Sequence, residues 1–149
     1  MANSMDRNRY LIDLSESKRT DFGRVDFAKQ SEVQKVFSAV WEIESQVNNG
    51  GFDQYFRNSD CDIIGFAPAA LNAIGATACA KIVESALRVM SPLPATQEER
   101  CDALDSLSET QQEMLESADT EFFDYPDDLT TLLFAYVAKH PEAFGPVPE

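Results

Sequence analysis

Histidine is nearly missing from these 149 residues; the only one is His140. That scarcity removes most zinc sites, facial triads and Ser–His or Cys–His nucleophilic catalysis, all of which need imidazole. Cysteine is sparse as well. Cys61, Cys79 and Cys101 are odd in number and far apart, without a C-x-x-C pair, which is the pattern of reduced thiols. No apolar run reaches the ~18 residues of a membrane helix. Met1 to Tyr10 lacks the apolar core of a signal peptide, so a cytoplasmic protein is expected. The run from Gly75 to Lys81 comes nearest to a phosphate loop and lacks its second glycine, which speaks against phosphate cradling. No stretch alternates as a strand does, and no repeat period is visible.

Bases are missing where acids are densest. Residues 1–89 carry 12 acids and 10 bases, whereas residues 90–149 carry 14 acids and 2 bases, so the second part holds most of the net charge of −14. Between Glu98 and Asp128 stand twelve carboxylates and one base, Arg100. Such a block is either a disordered tail or the solvated face of a folded domain. The interleaved Leu104, Leu107, Met114, Leu115, Phe122, Phe123, Leu129 and Leu132 favour the folded case. A strongly acidic half disfavours nucleic acid and anionic membrane as direct ligands and favours a basic partner.

What is present in quantity is apolar: 44% of residues, with ten phenylalanines, enough for one domain with a core of its own. Residues 1–30 read as a poorly defined arm. In it Tyr10, Leu11, Ile12 and Leu14 form either a short helix or an extended segment, broken by Ser15 to Thr20 and Gly23. Val33, Val36, Phe37, Val40, Ile43 and Val47 recur at helical spacing after a candidate N-cap, Ser31, and Asn48 to Gly51 is a strong stop. Phe52, Tyr55 and Phe56 share a face of a short second helix that ends at Arg57 to Asp60.

A compact helix is expected over Phe66 to Ile74, with Pro68 in its first turn and Gly75 past its end. Cys79, Ile82, Val83, Ala86, Leu87 and Met90 make the next stripe, and Ser91 to Pro94 is a stiff connector. Thr96-x-x-Glu99 and Ser108-x-x-Gln111 match capping boxes. The first of these helices should bury Cys101, Leu104 and Leu107, the second Met114, Leu115, Ala118 and Phe122. After a reset at Asp124 to Asp127, a last helix turns Leu129, Leu132, Leu133, Tyr136 and Val137 inward. Residues 141–149 read as a loose tail. The reading is all-α: a single compact domain of six or seven helices over residues 31–140.

Glu98, Asp102, Asp105, Glu109, Glu113 and Glu116 follow steps of 4, 3, 4, 4 and 3, which is helical spacing. The capping box at Ser108 splits them into two ridges, with successive carboxylates about 5–6 Å apart along each, one helical turn. That resembles the run of phosphates along a nucleic-acid strand; the bland alternative is a merely soluble face. Asp119, Asp124, Asp127 and Asp128 extend the acidic surface. The last three are candidates for a hard cation, although their spacing is not that of an EF-hand and helix first turns collect acids anyway. Glu44 lies between Val40 and Val47, and a part-buried carboxylate needs donors, here the amides of Gly50-Gly51 or Arg57. His140 reads as a helix end cap. Neither a metal nor a cofactor is expected.

The stretch Trp41-Glu42-Ile43-Glu44-Ser45-Gln46-Val47-Asn48-Asn49-Gly50-Gly51-Phe52-Asp53-Gln54-Tyr55-Phe56-Arg57-Asn58-Ser59 resembles the signature of the family of DNA mimic protein nineteen. Ala69 to Ala76 and the acidic helix ending in Phe122-Phe123 are similar too, so the resemblance covers roughly residues 30 to 140. It implies a small, mainly helical bacterial protein whose carboxylates imitate DNA phosphates and keep a transcription factor off its operator. The matching motif is not the acidic stripe. Asn48, Asn49, Gly50, Gly51, Asp53 and Gln54 read as a helix stop and a side-chain network that fixes the next helix.

Three functions therefore stand open. The first is a non-enzymatic DNA mimic that binds a basic DNA-binding protein, as monomer or homodimer. The second is an immunity-type or anti-restriction inhibitor of a basic nuclease. The third is a small metal-dependent or carboxylate-based hydrolase built on Glu44, Asp53 and the polar turn.

Overall fold

The Ser31 hydroxyl accepts from the Gln34 amide at 3.3 Å, and the Gln34 side chain accepts from the Ser31 amide at 3.1 Å. This reciprocal box opens the longest element of the computed structural model, which describes residues 4–15 and 25–145. That element, α2 (Glu32–Asn58), is two helices in line, broken where Gly50 and Gly51 leave helical geometry and Gly51 takes φ +75°. The stop expected at Asn48 to Gly51 is therefore a kink, and the chain resumes its helix at Phe52. Val36, Phe37, Val40, Ile43 and Val47 before the kink, and Phe52, Tyr55 and Phe56 after it, are all buried.

The other helices assemble on that stripe. Packed against α2 are α3 (Cys61–Ala73), α5 (Gln97–Asp105), α6 (Glu109–Phe123), α7 (Leu129–Ala138) and the one-turn α8 (Pro141–Phe144). Helix α4 (Thr77–Val89) joins α3 to α6, and α1 (Ser4–Ser15) lies along α7. Among the described residues there are eight helices and no strand. The fold is all-helical.

Four local expectations are corrected. Helix α3 begins at Cys61 and not at Phe66, so Pro68 sits in its interior. A mid-helix proline costs about 3 kcal/mol. Burial of Ile64 and Leu71, at about 1.5–3 kcal/mol each, offsets it before Ala67 and Ala70 are added. The arm is not loose where it is described: of the two forms left open, Ser4–Ser15 takes the helix and buries Tyr10, Leu11 and Leu14 in the core, and Phe27–Lys29 adds a 3-10 turn with no buried residue; Glu16 to Thr20 and Gly23 lie outside the described residues. The tail packs as far as Phe144, which is buried with its ring 5.7 Å from that of Phe37, while the Ala143 carbonyl accepts from Gln34 Nε2 at 3.0 Å. Residues 146–149 lie outside the described residues.

Met114 is the fourth. It is 51% exposed. The buried face of α6 runs through Leu115, Ala118 and Phe122. At about 100° per residue Met114 falls beyond its edge. On α5 only Leu104 of the expected apolar set is fully buried, Cys101 and Leu107 being half-buried, while Arg100 is buried with it.

Candidate functional site

The acidic block is divided as its capping signals require. Ser108 accepts from the Gln111 amide at 3.1 Å and Gln111 accepts from the Ser108 amide at 2.9 Å, a complete box that starts α6. Thr96 accepts from the Glu99 amide at 3.1 Å, but its hydroxyl donates to the Glu99 carboxylate at 3.0 Å, so only half of a box starts α5. Glu98, Asp102 and Asp105 are exposed on α5, Glu109, Glu113 and Glu116 on α6, and Asp124 at the α6 C-terminus. These seven make the two ridges and their end.

The remaining three predicted contact residues hold helix N-termini. Asp119 is half-buried and its Oδ1 accepts from the Phe52 amide at 2.7 Å, capping α2 where it restarts after the kink. Burial raises the Asp119 carboxyl; the Phe52 bond lowers it by less, and Glu116 and Asp53 add to the rise. Asp127 Oδ2 accepts from the Cys79 amide at 2.8 Å. It thus caps α4, whose own N-cap residue, Ala76, has no acceptor to offer. Asp128 caps α7, accepting from the Thr131 amide at 3.1 Å and the Thr131 hydroxyl at 2.8 Å.

The one base of the block is withdrawn from the surface. Arg100 is 3% exposed. Its Nε donates to the Phe56 carbonyl at 2.9 Å, Nη2 to Ser59 at 2.8 Å, and Nη1 to Pro94 at 3.2 Å and Ala95 at 3.0 Å. The guanidinium fork ties the C-terminal end of α2, where the helix dipole favours a cation, to the connector before α5. The cation that does reach the acidic face comes from α2: Arg57 Nη2 meets Asp105 at 2.8 Å, and Arg57 Nε meets Asp53 at 2.8 Å.

The polar turn is a network of short links. Asn48 Nδ2 donates to the Tyr125 hydroxyl at 2.7 Å, Asn49 to Gln54 at 3.1 Å, and Gln54 to Gln46 at 2.9 Å. A Cβ on Gly51 would lie 2.6 Å from Asp119 Oδ2, so the close approach of α6 demands glycine there. A Cβ on Gly50 would collide with the Gln54 side chain. Glu44 is half-buried, and among the described residues its carboxylate accepts neither from the amides of Gly50-Gly51 nor from Arg57, which is held by Asp53 and Asp105. Burial, then repulsion from Asp128, pushes its carboxyl up. Glu44 and Asp53, the pair on which a hydrolase would rest, thus have separate surroundings.

Cys79 is an inert thiol, pushed up to about 12 by burial and by Asp127. His140 follows the α7 C-cap; its Nδ1 lies 3.0 Å from Glu142 and its ring 4.7 Å from that of Tyr136. Among the described residues no group of three or more His, Cys, Asp or Glu is arranged to hold a metal ion. No helix there is long and apolar enough to cross a membrane.

Sequence reasoning missed Arg100 as a buried clasp and the two borrowed caps. A lone base inside an acidic run was a signal for Arg100; the uncapped start at Ala76 shows that α4 needs a cap, but nothing near it in the chain names Asp127, and nothing near Phe52 names Asp119. No curated protein and no solved structure matches the chain. The family model for the DMP19-like protein matches residues 28–140, three quarters of the chain and both the polar turn and the acidic ridges. The chain belongs to the DMP19-like family.

Proposed function

We propose that this protein is a DNA mimic that occupies the basic DNA-binding face of a transcription factor or another DNA-binding protein and blocks its access to DNA. The family is named for a DNA mimic. The observation that carries the reading for this chain is the pairing of six exposed ridge carboxylates on α5 and α6 with the burial of Arg100, the only base in their stretch. Successive ridge carboxylates repel one another by a few tenths of a kcal/mol per pair. A surface that keeps this cost, buries the only base of its own stretch and meets one outside cation, Arg57 on Asp105, projects a predominantly negative field. Such a field steers a basic partner from a distance and makes affinity salt-sensitive. The protein acts by occupancy and not by chemistry.

The test is capture from a cell lysate at low salt with the tagged chain. A DNA-binding protein should be retained, be released by rising salt, and lose its DNA to the added chain in a competition assay. Asp102, Glu109, Glu113 and Glu116 form no ion pair or hydrogen bond through their carboxylates among the described residues, so their joint reversal to lysine leaves the helices intact and should abolish capture. Recovery of metabolic enzymes alone would defeat the proposal. If the retained protein is a nuclease, the inhibitor reading takes its place, and cleavage rather than operator binding is what the chain suppresses.

A further inference from the structure

Between α2, α5 and α6 lies a cleft of about 460 Å³ with Leu104, Leu107 and Leu115 in its wall. Leu104 and Leu115 are buried and Leu107 half-buried, so these three form an apolar floor. Four carboxylates from three different helices surround it: Asp53, Asp105, Glu116 and Asp119. The volume falls within the roughly 300–1,000 Å³ of ligand pockets, ample for a long side chain.

A guanidinium already stands in this cleft. Arg57 donates to Asp53 at 2.8 and 3.2 Å and to Asp105 at 2.8 Å. Glu116 meets no donor through its carboxylate among the described residues, and Asp119 uses only Oδ1, on the Phe52 amide. One cation thus serves four acids, and the Glu116 and Asp119 side remains uncompensated. The Asp119 carboxyl is pushed up first by burial, and repulsion from Glu116 and Asp53 adds to it.

Resting on the DNA-mimic reading, the geometry points to this cleft as the pocket for one arginine side chain of the basic partner. Its methylene stem lies on the leucine floor, and its guanidinium sits between Glu116 and Asp119 beside Arg57. Arginine fits better than lysine. Its planar fork can engage two carboxylate oxygens at once and its cation is weakly hydrated, so an apolar floor is tolerated, whereas an ammonium loses more water for one point contact. A seated arginine would be the partner's anchor within an otherwise diffuse electrostatic contact.

Two measurements on the full chain test this. The first is an amide NMR titration with acetyl-arginine amide, acetyl-lysine amide and the neutral acetyl-citrulline amide. The arginine compound should saturably shift the amides of Leu104, Leu107, Gln112 and Glu116. The lysine compound should bind more weakly and citrulline not at all. Glu116→Gln should weaken the arginine compound on the order of fivefold, the upper range for one exposed ion pair. Equal effects of arginine and lysine spread over Glu98, Asp102, Glu109 and Glu113, or no shifts, would overturn the pocket.

The second measurement compares Gln112→Arg, which plants a guanidinium at the cleft wall, with Thr110→Arg, which adds the same charge about 200° around α6. Partner capture should fall at least tenfold for the first and stay within twofold for the second. If both act alike while reversal of the ridges still releases the partner, the pocket is wrong and the DNA-mimic reading stands. If reversal of the ridges releases nothing, the DNA-mimic reading itself falls.

Discussion

At the scale of single residues, the carboxylates of this protein differ more than their spacing suggests. Glu44 reads from its position in the sequence as a carboxylate held by donors, yet it has a raised pKa caused first by burial and accepts no hydrogen bond among the described residues. The sign follows from linkage: the folded state disfavours the charged form, so Glu44 subtracts stability at neutral pH and stops doing so as pH falls through its raised value. Glu44→Gln should therefore raise the urea midpoint at pH 7 and flatten its rise toward the ordinary carboxylate range. An unchanged or lower midpoint at pH 7 would refute this. Asp119 shares the sign but also caps Phe52. Asp119→Asn, which keeps an acceptor without the charge, should match or exceed the native stability at pH 7, while Asp119→Ala should lose about 1–2 kcal/mol. Arg100 is different again. Arg100→Ala strands the carbonyls of Phe56, Ser59, Pro94 and Ala95 and should cost about 3 kcal/mol or more in denaturant unfolding, with lysine recovering only part because it lacks the fork.

At the scale of elements, the organising feature is the kink in α2. Gly51→Ala meets both a positive φ and the Asp119 carboxylate, and should destabilise by about 2 kcal/mol or more in thermal or urea unfolding. Ser108→Ala, which opens the α6 box, should cost about 1 kcal/mol. These elements also show what local pattern can convey. Ser31, Ser108 and Asp128 each cap the helix that follows them within three residues, and such caps are legible in order along the chain. The caps at Phe52 and Cys79 come from residues 67 and 48 positions away, and no local pattern encodes them. Pro68 misled for a related reason: the position of a proline shows which hydrogen bond is missing, not how much burial stands ready to offset it.

At the scale of the whole molecule, a net charge of −14 acts on the fold and on any partner at once. Added salt screens the mutual repulsion of the ridges, so the melting temperature should rise between low and about 0.5 M salt, whereas partner capture should weaken over the same range. A melting temperature independent of salt would mean that the ridges do not strain the domain.

The sequence by itself determined the helical class, the division of the acidic block at Ser108, the turn at Asn48 to Gly51 and the sign of the surface. Periodicity, capping chemistry and formal charge are local properties, and they survive whatever the chain packs against. Only the tertiary structure decided which carboxylates are free. Asp119, Asp127 and Asp105 look identical to Asp102 in sequence. Two of them meet distant backbone amides and one meets Arg57, because helices remote in the chain are brought together by their apolar faces. The same packing took Arg100 out of the acidic face and left that face without a cation of its own.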